Sequence, residues 1–246
     1  ILANNADGFI NASKQMRELG YDEVNLNLGC PSGTVVSKKR GAGFLKYPDE
    51  LDKFLDRIYS ECDIKISVKT RIGFEKTEEI YRLIEIFNKY PIYELIIHPR
   101  TRMDMYKNKP NLEMFEYALG ESKNPVCYNG DIKKKEDYEL IAERFQETDS
   151  VMIGRAAKGN PWIFQDISHF LKTGEHLEKP SVEERKAMML RHASLMVEYK
   201  GEFTGIHEMR KHVAWYTQGM PDSAKLRAKI NMVETYDALA AMVQAL

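Results

Sequence analysis

Asn25-Leu26-Asn27-Leu28-Gly29-Cys30-Pro31 reads as the end of a buried strand breaking into a loop. Val24, Leu26 and Leu28 alternate with Asn25 and Asn27, which is the two-residue period of a strand. Gly29 then frees the backbone, and Pro31 bars the strand from continuing. Cys30 is therefore expected at the carboxyl tip of a strand, where α/β barrels gather their chemistry. The ordinary alternative is a buried structural cysteine. Two flanking asparagines argue against a dry core site, because each amide needs hydrogen-bonding partners.

Outward from this stretch, strand and helix alternate. Ile1-Leu2-Ala3 resembles the tail of a strand, and a helix over about 7–19 follows, stopping at Gly20. After the strand at 23–28 comes a loop to about Lys46, then a helix opening with Pro48. Its Leu51, Phe54, Leu55 and Ile58 share one face. Further strands are expected at 65–70, 93–98, 125–128 and 150–153. Helices marked by Ile80-Leu83-Ile84-Phe87, by residues 112–119 and by Tyr138-Ile141-Ala142-Phe145 lie between them. This is the pattern of a parallel α/β sheet. A doubly wound sheet is one solution. Polar residues at every strand end (Cys30, Lys69, His98, Asn129, Arg155) favour a TIM-type (β/α)8 barrel, which collects such tips in one mouth. From about Gly159 the character changes. Residues 171–180 are expected as a linker between an α/β domain over 1–170 and an all-helical domain over 181–246, with breaks near 201–205, 218–222 and 233–235.

The 246 residues carry 43% hydrophobic side chains, enough for a sizeable core, and no run of apolar residues long enough to span a membrane. No secretory signal is visible, since the start carries Asn4, Asn5 and Asp7. Three cysteines without CxxC spacing argue against a disulfide framework or a zinc site, and point to a reducing cytoplasm. The net charge of −1 announces no nucleic-acid binder, although a basic face suffices for that role.

Further stretches end the later strands. Lys69 and Arg71 sit at the end of Lys65-Ile66-Ser67-Val68-Lys69-Thr70-Arg71-Ile72-Gly73, with Lys69 on the face opposite Ile66 and Val68. His98-Pro99-Arg100-Thr101-Arg102 ends the next strand, Asn129-Gly130-Asp131 the one after, and Gly154-Arg155 the last. Together with Asn-x-Asn-x-Gly-Cys-Pro, these stretches resemble the signatures of the tRNA-dihydrouridine synthases, flavoenzymes that reduce uridines in transfer RNA. The resemblance covers nearly the whole chain. It implies that two complete strands and most of a third precede Ile1, so the barrel is expected to be N-terminally incomplete.

The resemblance implies the site in detail. FMN would be held by Lys69 and His98 at its ring and by Asn129, Gly130, Asp131, Gly154 and Arg155 at its phosphate, and NADPH would reload it. Hydride would pass from reduced FMN to uracil C6, and Cys30 would give a proton to C5. Thiols are mostly protonated near neutral pH and can act as acids. Asn27 is placed to hydrogen-bond the flipped base, whose C5–C6 bond is otherwise covered by stacking. Arg71, Arg100 and Arg102 are expected on the substrate side. The basic loop Lys38-Lys39-Arg40, with Gly41 and Gly43 for flexibility, would close over the uridine. Arg210 and Lys211 would grip the tRNA, with Arg227 and Lys229 following Lys225 extending that basic surface. Neither a metal nor a stable protein partner is implied. Other functions compatible with the same residues are a small-molecule flavin oxidoreductase of the dihydroorotate dehydrogenase type and an RNA-binding fragment without activity.

Overall fold

The structure, a computed structural model, describes every residue except Asp149, Pro221 and Asp222. The chain divides into two compact units, residues 1–132 with 139–153 and residues 133–138 with 154–246.

The first unit is built on five parallel strands, β1 (Glu23–Leu28), β2 (Lys65–Gly73), β3 (Leu95–Thr101), β4 (Val126–Tyr128) and β5 (Ser150–Val151). They are hydrogen-bonded in the order β1-β2-β3-β4-β5. A doubly wound sheet reverses its order at a switch point. No reversal occurs here, so the winding is that of a TIM-type barrel wall. Outside β1, the Ile1 ammonium donates to Asn25 O (2.5 Å) and Asn27 N–H donates to Ile1 O (2.9 Å). That is a parallel-ladder pattern, as the strand-tail reading of residues 1–3 requires.

The register sorts the side chains by face. Val24, Leu26, Leu28, Ile66, Val68, Leu95, Ile97, Val126 and Tyr128 share one face and are buried. The helices between the strands supply apolar stripes, including Leu51, Leu55 and Ile58 of α3 (Pro48–Glu61) and Ile80, Leu83, Ile84 and Phe87 of α4 (Glu79–Phe87). Helices α1 (Ala6–Glu18), α5 (Leu112–Glu121) and α6 (Lys135–Arg144) complete the helical elements between strands, and the division into units falls within α6. The opposite face of the sheet is polar. Asn25 Nδ2 donates to Ser67 Oγ (2.9 Å), Ser67 Oγ to Glu23 Oε1 (2.5 Å) and Ser150 Oγ to Glu94 Oε1 (2.6 Å). On this face lie Asn27, Lys69, His98 and Cys127.

Two expectations change in this unit. The stretch 30–46 is not an open loop: it contains a short helix α2 (Gly33–Val36) and a 3-10 helix (Gly41–Lys46) whose residues 41–45 are buried. Strands β2 and β3 also run past their expected ends, because the tips pair further, Arg71 with His98 and Gly73 with Thr101 across a bulge.

The second unit contains helices α7 (Trp162–Thr173), α8 (Val182–Lys200), α9 (Glu202–Tyr216), α10 (Ser223–Ile230) and α11 (Tyr236–Gln244). Met189, Ala193, Ile206, Met209, Val213, Tyr216, Leu226, Ile230, Val233, Leu239 and Val243 form its core. Trp162 of α7 packs on that core, its ring 6.4 Å from that of Tyr216. The segment from 154 therefore groups with the helices, and not with an α/β domain reaching residue 170. Nor is 171–180 a plain spacer. Leu177 N–H donates to Asp166 Oδ1 (2.9 Å), and His176 stacks on Phe170 at 4.5 Å, so the chain folds back on α7. The break expected at 201–205 occurs at Gly201 alone. Gly205 lies inside α9, where a Cβ would come within 2.7 Å of Met196 O, so this glycine serves close helix packing. Of the break expected at 218–222, Pro221 and Asp222 lie outside the described residues, as does the Lys225 side chain. No helix among the described residues is long and apolar enough to cross a membrane.

Candidate active site

Cys30 leaves β1 in a turn whose Gly29 and Cys30 backbone is held by four hydrogen bonds. The Asn27 Oδ1 atom accepts from both Gly29 N–H and Cys30 N–H, each at 3.0 Å. Ala42 N–H donates to Cys30 O at 3.0 Å. Arg71 Nε donates to Gly29 O at 2.9 Å. A short polar side chain two residues before a turn makes such bonds readily. Gly41 comes up beneath this turn at φ +55, where a Cβ would lie 2.8 Å from Cys30 O. Gly43 approaches Val36 equally closely. Beside the expected flexibility, these glycines thus allow close packing, Gly41 against Cys30 and Gly43 against Val36. Cys30 is half-buried, in contrast to buried Cys127, whose thiol burial pushes up to about 11.

The neighbouring tips make an electropositive mouth. Lys69 stands beside Asn27 in the register, half-buried, with no hydrogen bond or ion pair among the described residues. Burial, aided by the Arg71 charge, lowers its pKa from 10.5 to about 8. Between those values the unfolded chain holds more protons than the folded one, so stability rises with pH across that window and the burial cost is felt in full below it. Lys69→Met is therefore expected to raise Tm near pH 7, with the gain vanishing above about pH 10.5. Thermal melts at the two pH values check this, and an unchanged or lowered Tm near neutrality would refute it.

His98 is 8% exposed, and burial with the charges of Arg71, Lys69 and Arg100 brings it down to about 3. It is neutral near pH 7.

The expected substrate arginines divide. Arg71 is 1% exposed and donates to Gly29 O, Thr101 O (2.7 Å) and Met105 O (2.9 Å). Arg100, equally buried, donates to Asn108 O (2.6 Å), His98 Nε2 (2.9 Å) and both oxygens of Asp131 (2.6 and 3.1 Å). Both are spent inside the protein and are not available to RNA phosphates or a base edge. Asp131, expected at a phosphate, takes a two-point bond from Arg100 on its carboxylate. Arg102 differs. It is half-buried, lies over the Phe74 ring at 5.6 Å, and its Nε is buried without a partner. Asn129 turns its amide to Met152 O (2.8 Å). Gly130 is where Tyr128 folds close, since a Cβ there would collide with the phenol.

Lys38, Lys39 and Arg40 are exposed, and Lys39 is bonded to Glu50 and lies 4.2 Å over Tyr47. In the second unit, Gly154 is followed by a 3-10 helix of only 3 residues, Arg155–Ala157, too short for a strong dipole. Arg155 is exposed. Arg210 donates through Nε and Nη2 to Val233 O (2.9 and 2.6 Å), so it fastens the bend before α11. Lys211 is exposed, as are Arg227 and Lys229. Sequence reasoning missed Tyr106, whose ring lies 5.3 Å from the Arg71 guanidinium and 6.1 Å from the His98 ring. It also missed Lys158, poised 4.7 Å over Trp215. An aromatic residue a few positions after His98-Pro99-Arg100 was the available signal for Tyr106.

The family model described as dihydrouridine synthase (Dus) matches residues 1–246. The tRNA-dihydrouridine synthase B of Pseudomonas putida is 32% identical over 235 residues, covering 95% of this chain and 69% of that protein. The Vibrio cholerae protein of the same name is 33% identical, covering 89% and 68%. A probable tRNA-dihydrouridine synthase of Rickettsia bellii is 32% identical, covering 90% and 68%. A crystal structure of dihydrodipicolinate synthase superposes with TM-score 0.46 and 14% identity over 98% of this chain and 93% of that one, too distant to argue from. With a full-length family match and relatives at this identity, the chain belongs to the dihydrouridine synthase family.

Proposed function

We propose that this protein reduces specific uridines of tRNA to 5,6-dihydrouridine in a flavin-dependent reaction, with Cys30 as the proton donor. The observation that carries this reading is the Cys30 turn itself. A half-buried cysteine is held by its backbone at a strand tip, beside a cationic mouth, in a chain that matches the family along its whole length. The relatives named as tRNA-dihydrouridine synthases support tRNA as the substrate.

The residues of the mouth suit FMN. Lys69 is half-buried and cationic at neutral pH with no anionic partner among the described residues, and an electron-rich ring would relieve it. His98, neutral, can donate a hydrogen bond beside it. Bound FMN, reloaded by NADPH, would supply the hydride that uracil C6 receives. Cys30 Sγ gives its proton to C5, and solvent reprotonates the resulting thiolate. Asn27 has committed its carbonyl oxygen to the Cys30 turn, so its Nδ2 is the atom left to meet a uracil carbonyl. Arg102, Lys38 and Arg40 in the first unit, and Lys211 in the second, are the exposed or half-exposed cations suited to RNA phosphates.

The test pairs two assays. Absorption of the purified chain with FMN reads cofactor binding, and nucleoside mass spectrometry of unmodified tRNA, incubated with FMN and NADPH, reads dihydrouridine. Product with bound flavin is the expected result. Flavin binding and turnover of a free pyrimidine without tRNA product would favour the small-molecule oxidoreductase. RNA binding with neither flavin nor product would leave a non-catalytic RNA binder.

A further inference from the structure

We propose that Arg100 is a positioning residue that locks His98 as the neutral Nδ1–H tautomer, so that this histidine serves the mouth as a fixed hydrogen-bond donor and not as a proton-transfer group. The argument begins with what a guanidinium can do. It has five N–H donors and no acceptor. The Arg100 Nη1 atom lies 2.9 Å from His98 Nε2, so Nε2 must offer its lone pair. The single ring proton then sits on Nδ1. A second proton would have to displace the guanidinium.

The displacement is opposed from every side. Arg100 is anchored at Asn108 O through Nε and at both Asp131 oxygens through Nη1 and Nη2. This planar fork meets histidine, carboxylate and carbonyl at once, which an ammonium group could not do. The charged groups facing His98 are Lys69 and Arg71 from β2, Arg100 from its own strand and Asp131 from the loop after β4. Three cations outweigh one carboxylate. Tyr106, from the loop after β3, lies against the ring. This geometry gives His98 no proton-transfer role and leaves the Cys30 thiol to move the proton. Toward a flavin, the Nδ1–H would bond a ring nitrogen or carbonyl oxygen. That use rests on the cofactor reading above, but the tautomer does not.

The test is made on the full chain, labelled with 15N-histidine, without flavin or RNA. Long-range proton–nitrogen correlation distinguishes the two tautomers, and loss of one signal set in His98→Gln assigns His98 among the 6 histidines. The expected wild-type result is a protonated Nδ1, a bare Nε2 and no titration between about pH 8 and 5. In Arg100→Met the midpoint should rise, held below 6.5 by burial and by the Arg71 and Lys69 charges, with Nε2–H appearing, while Arg100→Lys, which keeps a donor but loses the fork, should retain the wild-type tautomer only in part. A wild-type His98 carrying its proton on Nε2, or titrating near 6.5, overturns the proposal even if neither variant folds. A locked tautomer in a chain that binds no FMN would remove only the cofactor reading. Flavin binding with an unlocked histidine would remove only the lock.

Discussion

Asp131→Ala should destabilise the first unit by about 3–5 kcal/mol, the range for breaking one side of a buried ion pair. The substitution leaves Arg100, 1% exposed, with its charge uncompensated. Two of the contacts that Arg100 keeps, Asn108 O and His98 Nε2, are neutral acceptors and cannot replace a carboxylate. Water reaching the space Asp131 vacates would bring the loss toward the lower end, because its side chain is itself 24% exposed. Removing the guanidinium as well should restore part of the loss. Urea unfolding of Asp131→Ala, Arg100→Met and the double variant forms a cycle in which the double variant is more stable than Asp131→Ala alone. A loss below about 1 kcal/mol would mean that the pair behaves like an exposed one. Exposed pairs abound here, such as Arg57 with Glu61 and Lys200 with Glu208, and they carry little of the fold.

What the sequence made legible follows from periodicity. Alternation in Val24-Asn25-Leu26-Asn27-Leu28 and in Ile66-Ser67-Val68-Lys69 places Asn27 and Lys69 on one face, and the register then makes them neighbours. Pro48 opens α3 as its chemistry requires, and the apolar spacing of α3 and α4 is the buried face observed. Local rules fail where a side chain's partner is remote. Arg71, Arg100 and Arg102 look alike at strand ends, but their fates depend on Gly29, on Asp131 and on the absence of an acceptor at Nε. Arg210 resembles any exposed helix cation until Val233 O, 23 residues on, claims it. Glycines are ambiguous in the same way. In sequence Gly41 and Gly205 read as loosening the chain, and in the fold each marks a place where two backbones come too close for a Cβ.

Cys30→Ala should lower dihydrouridine formation by about 10²–10⁴-fold, the usual contribution of a positioned proton donor. The fold should not change with it. Each hydrogen bond that holds the turn uses backbone atoms of Gly29 or Cys30, so alanine keeps the bonds from Asn27, Ala42 and Arg71. Cys30 is half-buried and its thiol makes no hydrogen bond among the described residues, so the stability change should stay within about 0.5 kcal/mol. Cys30→Ser separates acidity from shape. An alcohol of nearly the same size occupies the site but is a far weaker acid than a thiol, so serine should rescue little of the rate. Asn27→Ala supplies the third comparison. It leaves the thiol in place but strips two backbone amides of their acceptor, and it should lower kcat by allowing Cys30 to wander. Turnover of all three variants on unmodified tRNA, with melts and RNA-binding titrations alongside, distinguishes these effects. Activity of Cys30→Ala within tenfold of wild type, in a protein that folds and binds RNA normally, would mean that the proton reaches C5 from another group. With His98 neutral and its Nε2 held by Arg100, and with Lys69 lowered to about 8, that group would then be sought at Lys69.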